Sequence, residues 1–242
     1  MFAADTPGSA QVLAHGTPVA TLVLSGVRAL TGHPDGQGAA WRRAAWASVG
    51  LLPDDVSSTV LTLNLRGTPA LAWMADAGEP CVLTLRQLAH RPPRTVPPVV
   101  HICENPAVPS AAADTHGPDA LPLLCLKGQP SAAALTLLDH LNALGAVFRY
   151  HGDFDWGGLR IATALLQHVP WRPWRYTANY RQAAAATGTG SRPLSGRPDP
   201  SSWDPDLALA LAEHEMCIEE AVLDVLLADL AGGDVYPAVT HV

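Results

Sequence analysis

AVFRYHGDFDWGGLRIATALLQHV, residues 146–169, joins a strand-like run, two acids and a helix-like run without a break. We predict a buried strand over 146–155 and an amphipathic helix over 156–169. Asp153 and Asp155 stand at the end of the strand, where a core position would be apolar. They are explained either by a turn or by a metal site, and the rest of the chain bears on that choice.

The same alternation of strand and helix runs through the second half of the chain. Further strands are predicted at 99–103, 121–128 and, as an edge strand, 171–177, and further helices at 109–117, 131–145 and within 204–230. This order implies right-handed crossovers and a mainly parallel sheet with helices on its faces. The predicted fold class is therefore α/β.

The proline-rich, basic connector at 89–98 is the clearest predicted boundary, because such a composition forms neither a helix nor the interior of a sheet. Before it lie two helix-like runs (19–30 and 38–52) and two strand-like runs (59–67 and 80–88). We therefore predict an accessory α+β region over 1–95, for which a winged helix is one candidate form, and a catalytic domain over 96–242.

Composition limits the classes of function. The net charge of −7 argues against a free-standing, charge-driven nucleic-acid binder, but an enzyme with an acidic metal site remains compatible with it. The four cysteines form no CxxC pair, which favours reduced thiols over a zinc site. The start does not resemble a signal peptide, and no apolar run reaches the roughly 18–20 residues that span a bilayer. We expect a cytoplasmic protein without membrane association.

A parallel sheet gathers functional groups at the carboxyl ends of its strands. The first predicted strand of the second half ends at Glu104, the second at Lys127 and the third at Asp153 and Asp155. Side chains two apart in an extended segment point the same way, so both aspartates can approach one ion. Their hard oxygens suit Mg²⁺ or Mn²⁺. Glu104, Asp153 and Asp155 are thus the predicted metal ligands.

These signals also have ordinary structural interpretations. An Asp-x-Asp after a strand, taken alone, is more often a turn or a helix cap, but its coincidence with Glu104 and with the glycine pair at 157–158 favours the metal site. His151 is expected to be packed or hydrogen-bonded. Glu219 and Glu220 are expected on a solvated helix face, with completion of the acidic cluster as the alternative.

Five segments together resemble the Toprim-domain nuclease subunits of the Wadjet (Jet) anti-plasmid systems, the JetD-like proteins of the actinobacterial-type branch, which are related to the A subunit of topoisomerase VI. The segments are ICENPAV (102–108), KGQPSAAAL (127–135), YHGDFDWGGLRIA (150–162), PLSGRP (193–198) and EEAVLDVLLADL (219–230). The likeness extends over nearly all of the chain after about residue 17. Such proteins are usually longer at the N-terminus, so we expect a DNA-binding and partner-docking part to be missing or reduced.

The resemblance implies a Mg²⁺- or Mn²⁺-dependent endonuclease that hydrolyses invading double-stranded plasmid DNA within an SMC-like defence complex. Glu104, Asp153 and Asp155 would be its catalytic, metal-binding acids. Its partners would be SMC-like, kleisin-like and accessory subunits, and it would act as a homodimer. Because none of the four tyrosines precedes the Toprim-like region, water is the expected nucleophile. The candidate DNA-binding residues are Lys127, His151, Arg160, Arg172 and Arg175.

Two other classes of function remain open. The chain could be a non-catalytic assembly or DNA-binding module whose acids cap turns. It could also be a phosphatase-like phosphoryl transferase with Asp153 as nucleophile and Asp155 as acid/base. That chemistry favours Thr or Val after the Asp-x-Asp and a lysine downstream, whereas Trp156 follows here and no lysine lies beyond Lys127. Arg172 and Arg175, with their aromatic neighbours, fit a DNA-stacking surface or a shielded edge strand equally well.

Overall fold

The computed structural model describes residues 12–14, 16–36, 38–49, 51, 55–186, 191–214, 216–218 and 223–232. The chain divides into two compact units between Asp55 and Val56. This division lies well before the connector at 89–98, where the sequence predicts a boundary. The reason is that strands on both sides of the connector pair in one sheet.

The described residues of the first unit form two helices, α1 (Pro18–Thr31) and α2 (Gly38–Ala47). Thr17 caps α1 by accepting a hydrogen bond from the amide of Ala20 at 3.1 Å, and Gly32 ends the helix in the left-handed conformation. Both helices confirm the sequence prediction, and the described residues of this unit contain no strand. The buried residues that hold the two helices together are Ala20, Leu24, Val27, Ala45 and Trp46.

A six-stranded sheet is the centre of the second unit. Its strands are β1 (Thr59–Leu63), β2 (Cys81–Thr84), β3 (Val99–Cys103), β4 (Leu123–Cys125), β5 (Val147–His151) and β6 (Trp171–Pro173). Their order across the sheet is β2–β1–β4–β3–β5–β6. Strands β4, β3, β5 and β6 are parallel to one another, and β1 runs antiparallel to both of its neighbours, β2 and β4. The fold is therefore α/β with a mixed sheet.

Helices flank this sheet. They are α3 (Pro69–Ala77), α4 (Leu85–His90), α5 (Ala107–His116), α6 (Ala132–Ala143), α7 (Trp156–His168), α8 (Ala178–Ala186), α9 (Pro205–His214) and α10 (Leu223–Leu230). A short antiparallel pair, β7 (Ser191–Pro193) and β8 (Met216–Ile218), lies apart from the main sheet. In the described part of the chain, no helix is long and apolar enough to cross a membrane.

The predicted crossover helices of the second half are confirmed, with α5, α6 and α7 each joining two strands. Ser131 caps α6 by accepting a hydrogen bond from the amide of Ala134 at 3.0 Å. The predicted edge strand is also confirmed as β6. Helices α3 and α8 and the pair β7–β8 were not predicted. The strand-like prediction for 80–88 is wrong after Thr84, because Thr84 caps the helix α4 that begins at Leu85.

The central strand β3 is buried along almost its whole length, including the imidazole of His101. Its position between β4 and β5 places the carboxyl ends of three parallel strands side by side. The cysteines Cys81, Cys103 and Cys125 are free thiols, as predicted, and the side chain of Cys217 lies outside the described residues.

Candidate metal centre

The register of two neighbouring strands brings Glu104 and Asp153 to the same edge of the sheet. Cys103, the last residue of β3, lies opposite His151, the last residue of β5. Glu104 therefore leaves its strand beside Gly152, and Asp153 follows directly. Both acids line one small pocket, which α10 closes with Leu223 and Leu226. The structure thus brings these two predicted site residues to one pocket, and their role as metal ligands stays a prediction.

Glu104 is a buried acid, with 6% of its surface exposed. The hydroxyl of Tyr150 donates a hydrogen bond to its Oε1. Burial raises the pKa of the Glu104 carboxyl to about 8; the negative charges of Asp153 and Asp155 add to this rise, and the Tyr150 hydrogen bond opposes it. In the metal-free protein, the Glu104 carboxyl is therefore mostly protonated at neutral pH.

Asp155 is the N-cap of α7. Its Oδ1 accepts a hydrogen bond from the amide of Gly158 at 2.7 Å, and its backbone is extended, as is usual for a cap. Gly158 is required for close packing, because a Cβ atom there would collide with the backbone carbonyl of Asp153. Gly158 is thus explained by the approach of the Asp153 backbone, and a Cβ atom at Gly157 would lie 3.0 Å from Oδ1 of Asp155. For this glycine pair the sequence suggested the approach of a bound group.

The donor atoms at this edge are all oxygens, which suits Mg²⁺ or Mn²⁺. Among the described residues, however, no three side chains of His, Cys, Asp or Glu lie close enough together to hold a metal ion. Hydrogen bonds to Tyr150 and to the amide of Gly158 orient Glu104 and Asp155 individually. The donor type and the placement of the acids fit a divalent cation, but a three-ligand centre is not preformed. Glu219 and Glu220 lie outside the described residues.

His151 is an interior residue, so its assignment as a DNA contact needs correction. Its Nδ1 lies 2.9 Å from the carbonyl oxygen of Trp174. Burial lowers the pKa of His151 to about 4, which keeps the imidazole neutral, and Nδ1 must then be the protonated donor. The expectation of a packed, hydrogen-bonded histidine is confirmed.

Arg175 is also committed to an intramolecular contact. Its guanidinium binds both carboxylate oxygens of Asp229 in α10, with Nε–Oδ2 at 2.5 Å and Nη2–Oδ1 at 2.6 Å. The indole of Trp174 donates to the same carboxylate at 2.9 Å. The segment after β6 is thereby tied to α10, and this contact takes the place of the predicted DNA contact.

Three other basic candidates are exposed on the unit that contains the acids. Lys127 follows β4 in a left-handed conformation, and Arg160 on α7 donates to the carbonyl oxygen of Arg197 at 3.1 Å. Arg172 of β6 lies directly opposite Arg149 of β5, and both are exposed.

Two further residues of this region, Arg149 and Tyr150, were not predicted as site residues from the sequence. The signal for both was the alternation within β5, where exposed Arg149 separates buried Phe148 from buried Tyr150. This alternation places the basic side chain of β5 on one face of the sheet and the phenol on the other.

Comparisons with known proteins place the chain in a family without assigning a function. No curated protein matches it. Residues 81–230 match the family described as "Protein of unknown function C-terminus (DUF2399)", and residues 1–67 match "Protein of unknown function N-terminus (DUF3323)". The first match covers more than half of the chain and includes Glu104, Asp153 and Asp155. The chain therefore belongs to the family described as "Protein of unknown function C-terminus (DUF2399)".

Proposed function

We propose that the protein is a metal-dependent DNA endonuclease of the Toprim type, which hydrolyses phosphodiester bonds. The observation that carries this proposal is the pocket that Glu104 and Asp153 share at the ends of two adjacent parallel strands. This is the arrangement that the Toprim resemblance implies, with a glutamate after one strand and an Asp-x-Asp after a later one. The family descriptions name no activity and leave the proposal open.

Glu104 and Asp153 would hold Mg²⁺ or Mn²⁺, with Asp155 as the third acid. Two carboxylate ligands are sufficient for Mg²⁺, because this ion usually keeps several waters and binds substrate phosphate as well. When bound, the ion neutralises charge on the phosphate oxygens and lowers the pKa of the attacking water. Because the pKa of the Glu104 carboxyl is raised, this carboxyl must also lose a proton when the metal ion binds.

Water is a better nucleophile here than tyrosine. Tyr150 and Tyr176, which lie next to the acids, are completely buried, and burial raises the pKa of each phenol well above its usual value. Their hydroxyls donate to Glu104 and to the carbonyl oxygen of Asp153, respectively. Neither phenol is exposed to a phosphodiester, which supports hydrolysis without a covalent protein–DNA intermediate.

The exposed cations Lys127, Arg149, Arg160 and Arg172 would contact phosphates. The net charge of −7 makes it unfavourable for the chain to bind DNA by charge alone. We therefore place it in a complex with SMC-like, kleisin-like and accessory subunits acting on plasmid DNA, as the Wadjet resemblance implies. A homodimer would present two sites to the two strands of the duplex.

One observation favours a second candidate, a non-catalytic assembly module. Asp155 caps α7, and the described acids do not form a three-ligand group. In such a module, the acids would only stabilise the turn between β5 and α7. Metal binding distinguishes the two functions, because a capping carboxylate does not need a cation.

The experiment is cleavage of supercoiled plasmid in the presence of Mg²⁺ or Mn²⁺, with the protein alone and with its SMC-like partners. We expect nicked and linear products from the wild type, and losses of at least about a hundredfold for Glu104→Gln and Asp153→Asn, since each removes a ligand charge. The matched controls are Glu79→Gln and Asp114→Asn, which alter exposed acids outside the pocket. Equal cleavage by Glu104→Gln and the wild type would refute the assignment.

A further inference from the structure

We infer that Tyr150 is a positioning residue that orients Glu104 for metal binding through the hydrogen bond from its hydroxyl to Oε1. The inference rests on the proposed function, because it assigns to Glu104 the role of a metal ligand. It adds a residue that the Toprim resemblance does not supply. The hydrogen bond joins two neighbouring strands at the edge of the sheet where the acids lie.

The strand register explains why these two side chains meet. Tyr150 lies opposite Ile102 in the parallel pair β5–β3, and Glu104 follows Ile102 by two residues. Residues opposite each other, and residues two apart on one strand, project from the same face of a sheet. The phenol of Tyr150 therefore points along the face from which the Glu104 side chain projects.

The ring of Tyr150 is held on two sides, so packing fixes the position of its hydroxyl. The Trp171 ring centroid lies 4.8 Å away, and the Tyr176 ring packs against it edge-on at 5.6 Å. The side chain of Tyr150 is also completely buried. A phenol held in this way offers its donor at one place, and the Glu104 carboxylate must turn toward it.

Gly152 keeps this contact possible. A Cβ atom at this position would collide with both Glu104 Oε1 and the Tyr150 hydroxyl. Gly152 does not have the positive φ of the glycines that need the left-handed region, so space is the reason for glycine here. The backbone between Tyr150 and Asp153 is thus fitted to the hydrogen bond.

The chemistry of metal ligands explains what the hydrogen bond would do. Carboxylate ligands are usually held by an outer hydrogen-bond donor that fixes their orientation, and loss of such a donor weakens metal binding by about 10- to 100-fold. The competing explanation is purely structural, since a buried phenol needs an acceptor. The two explanations differ in one measurable respect. A structural role affects thermal stability alone, whereas a positioning role also affects metal affinity.

The experiment is calorimetric titration of the whole chain with Mn²⁺, together with melting temperatures measured in EDTA. We expect Mn²⁺ binding by the wild type, no binding by Glu104→Gln, and binding weakened about tenfold or more in Tyr150→Phe. The matched control is Ser131→Ala, which removes a hydroxyl that caps α6, on a helix whose residues do not line the acidic pocket. For this control we expect a lower melting temperature and an unchanged Mn²⁺ affinity.

The outcomes separate this inference from the proposed function. If the wild type and Glu104→Gln bind Mn²⁺ equally, or if neither binds it, the metal assignment fails and the positioning role fails with it. If Glu104→Gln loses binding while Tyr150→Phe keeps the wild-type affinity, the metal assignment stands and Tyr150 is only structural. Equal weakening in Ser131→Ala and Tyr150→Phe would attribute the effect to a general loss of stability and overturn the role of the hydroxyl.

Discussion

Asp155 and Gly158 close the first turn of α7, with the Asp155 carboxylate accepting the Gly158 amide at 2.7 Å. The same carboxylate is the third acid of the proposed metal centre. A cap requires only a hydrogen-bond acceptor, whereas a metal ligand also requires negative charge. Substitutions that separate the acceptor from the charge can therefore separate the two roles.

Asp155→Asn should keep the cap, because Asn and Asp are about equally good N-cap residues, while Asp155→Ala should lose about 1 kcal/mol of unfolding free energy. If Asp155 is a ligand, both variants should lose Mn²⁺ affinity and DNA cleavage. Urea unfolding in EDTA measures the first effect, and Mn²⁺ titration measures the second. Wild-type Mn²⁺ affinity and cleavage in Asp155→Asn would leave Asp155 as a cap alone.

Ser131→Ala is the matched control for this comparison. Ser131 caps α6 through the amide of Ala134 at 3.0 Å, on a helix whose residues do not line the acidic pocket. Its loss should destabilise the protein to a degree similar to that of Asp155→Ala, without a change in Mn²⁺ affinity.

The stability of the metal-free protein should fall as pH rises toward 8. The pKa of Glu104 is about 8 in the folded protein and near 4.5 when the chain is unfolded, so unfolding releases a proton between these values. The unfolding free energy should then decrease by up to about 1.4 kcal/mol per pH unit. Denaturant unfolding in EDTA at pH 6.5 to 8 measures this slope, and Glu104→Gln should reduce it.

The comparison with Glu104→Gln isolates this effect from the buried histidines. Burial lowers the pKa of both His101 and His151 to about 4, so protonation of these residues in the unfolded chain lowers the unfolding free energy as pH falls through about 6.5, in the wild type and in Glu104→Gln alike. Saturating Mn²⁺ should abolish the Glu104 slope, because it keeps the carboxylate ionised in the folded protein and unfolding then releases no proton from it. A slope that is the same in wild type and Glu104→Gln would contradict the raised pKa.

Local sequence patterns predicted the parallel half of the fold and the edge that carries the acids. Strand–helix alternation is a local property, so β3 to β6 and their crossover helices could be predicted from it. The pairing of β1 with β4 could not, because Leu61 and Cys125 are far apart in the chain and partner choice depends on tertiary packing. The same limit applies to Arg175, whose partner Asp229 lies 54 residues later.

Gly152→Ala should disturb the candidate site more than an ordinary glycine substitution, because its Cβ atom would collide with Glu104 Oε1 and the Tyr150 hydroxyl. We expect a loss of about 1–3 kcal/mol of unfolding free energy, typical of overpacking, and weaker Mn²⁺ binding. Thermal unfolding and Mn²⁺ titration measure the two effects.

Gly26→Ala is the matched control for Gly152→Ala, since a Cβ atom there meets nothing within 4 Å and the position lies inside α1. It should stabilise the protein by about 0.5–1 kcal/mol. A Gly152→Ala variant with wild-type stability and Mn²⁺ affinity would show that the edge can rearrange without cost.

The exposed and the paired arginines near β6 should respond differently to neutralisation. Arg172 is exposed opposite Arg149, whereas Arg175 binds Asp229 through two hydrogen bonds. In the assembled complex, Arg172→Gln and Arg149→Gln should each weaken DNA binding and reduce the slope of log affinity against log salt by about one. Arg175→Gln should instead leave the salt slope unchanged and lower the unfolding free energy by only about 1 kcal/mol, because the Arg175–Asp229 pair is partly exposed to solvent.

Fluorescence anisotropy with labelled duplex DNA over a salt series measures the slope, and urea unfolding measures the stability. A reduced slope in Arg175→Gln, with unchanged slopes in the other two variants, would mean that the Asp229 pair opens to bind DNA and that the exposed face of β5 and β6 does not contact it.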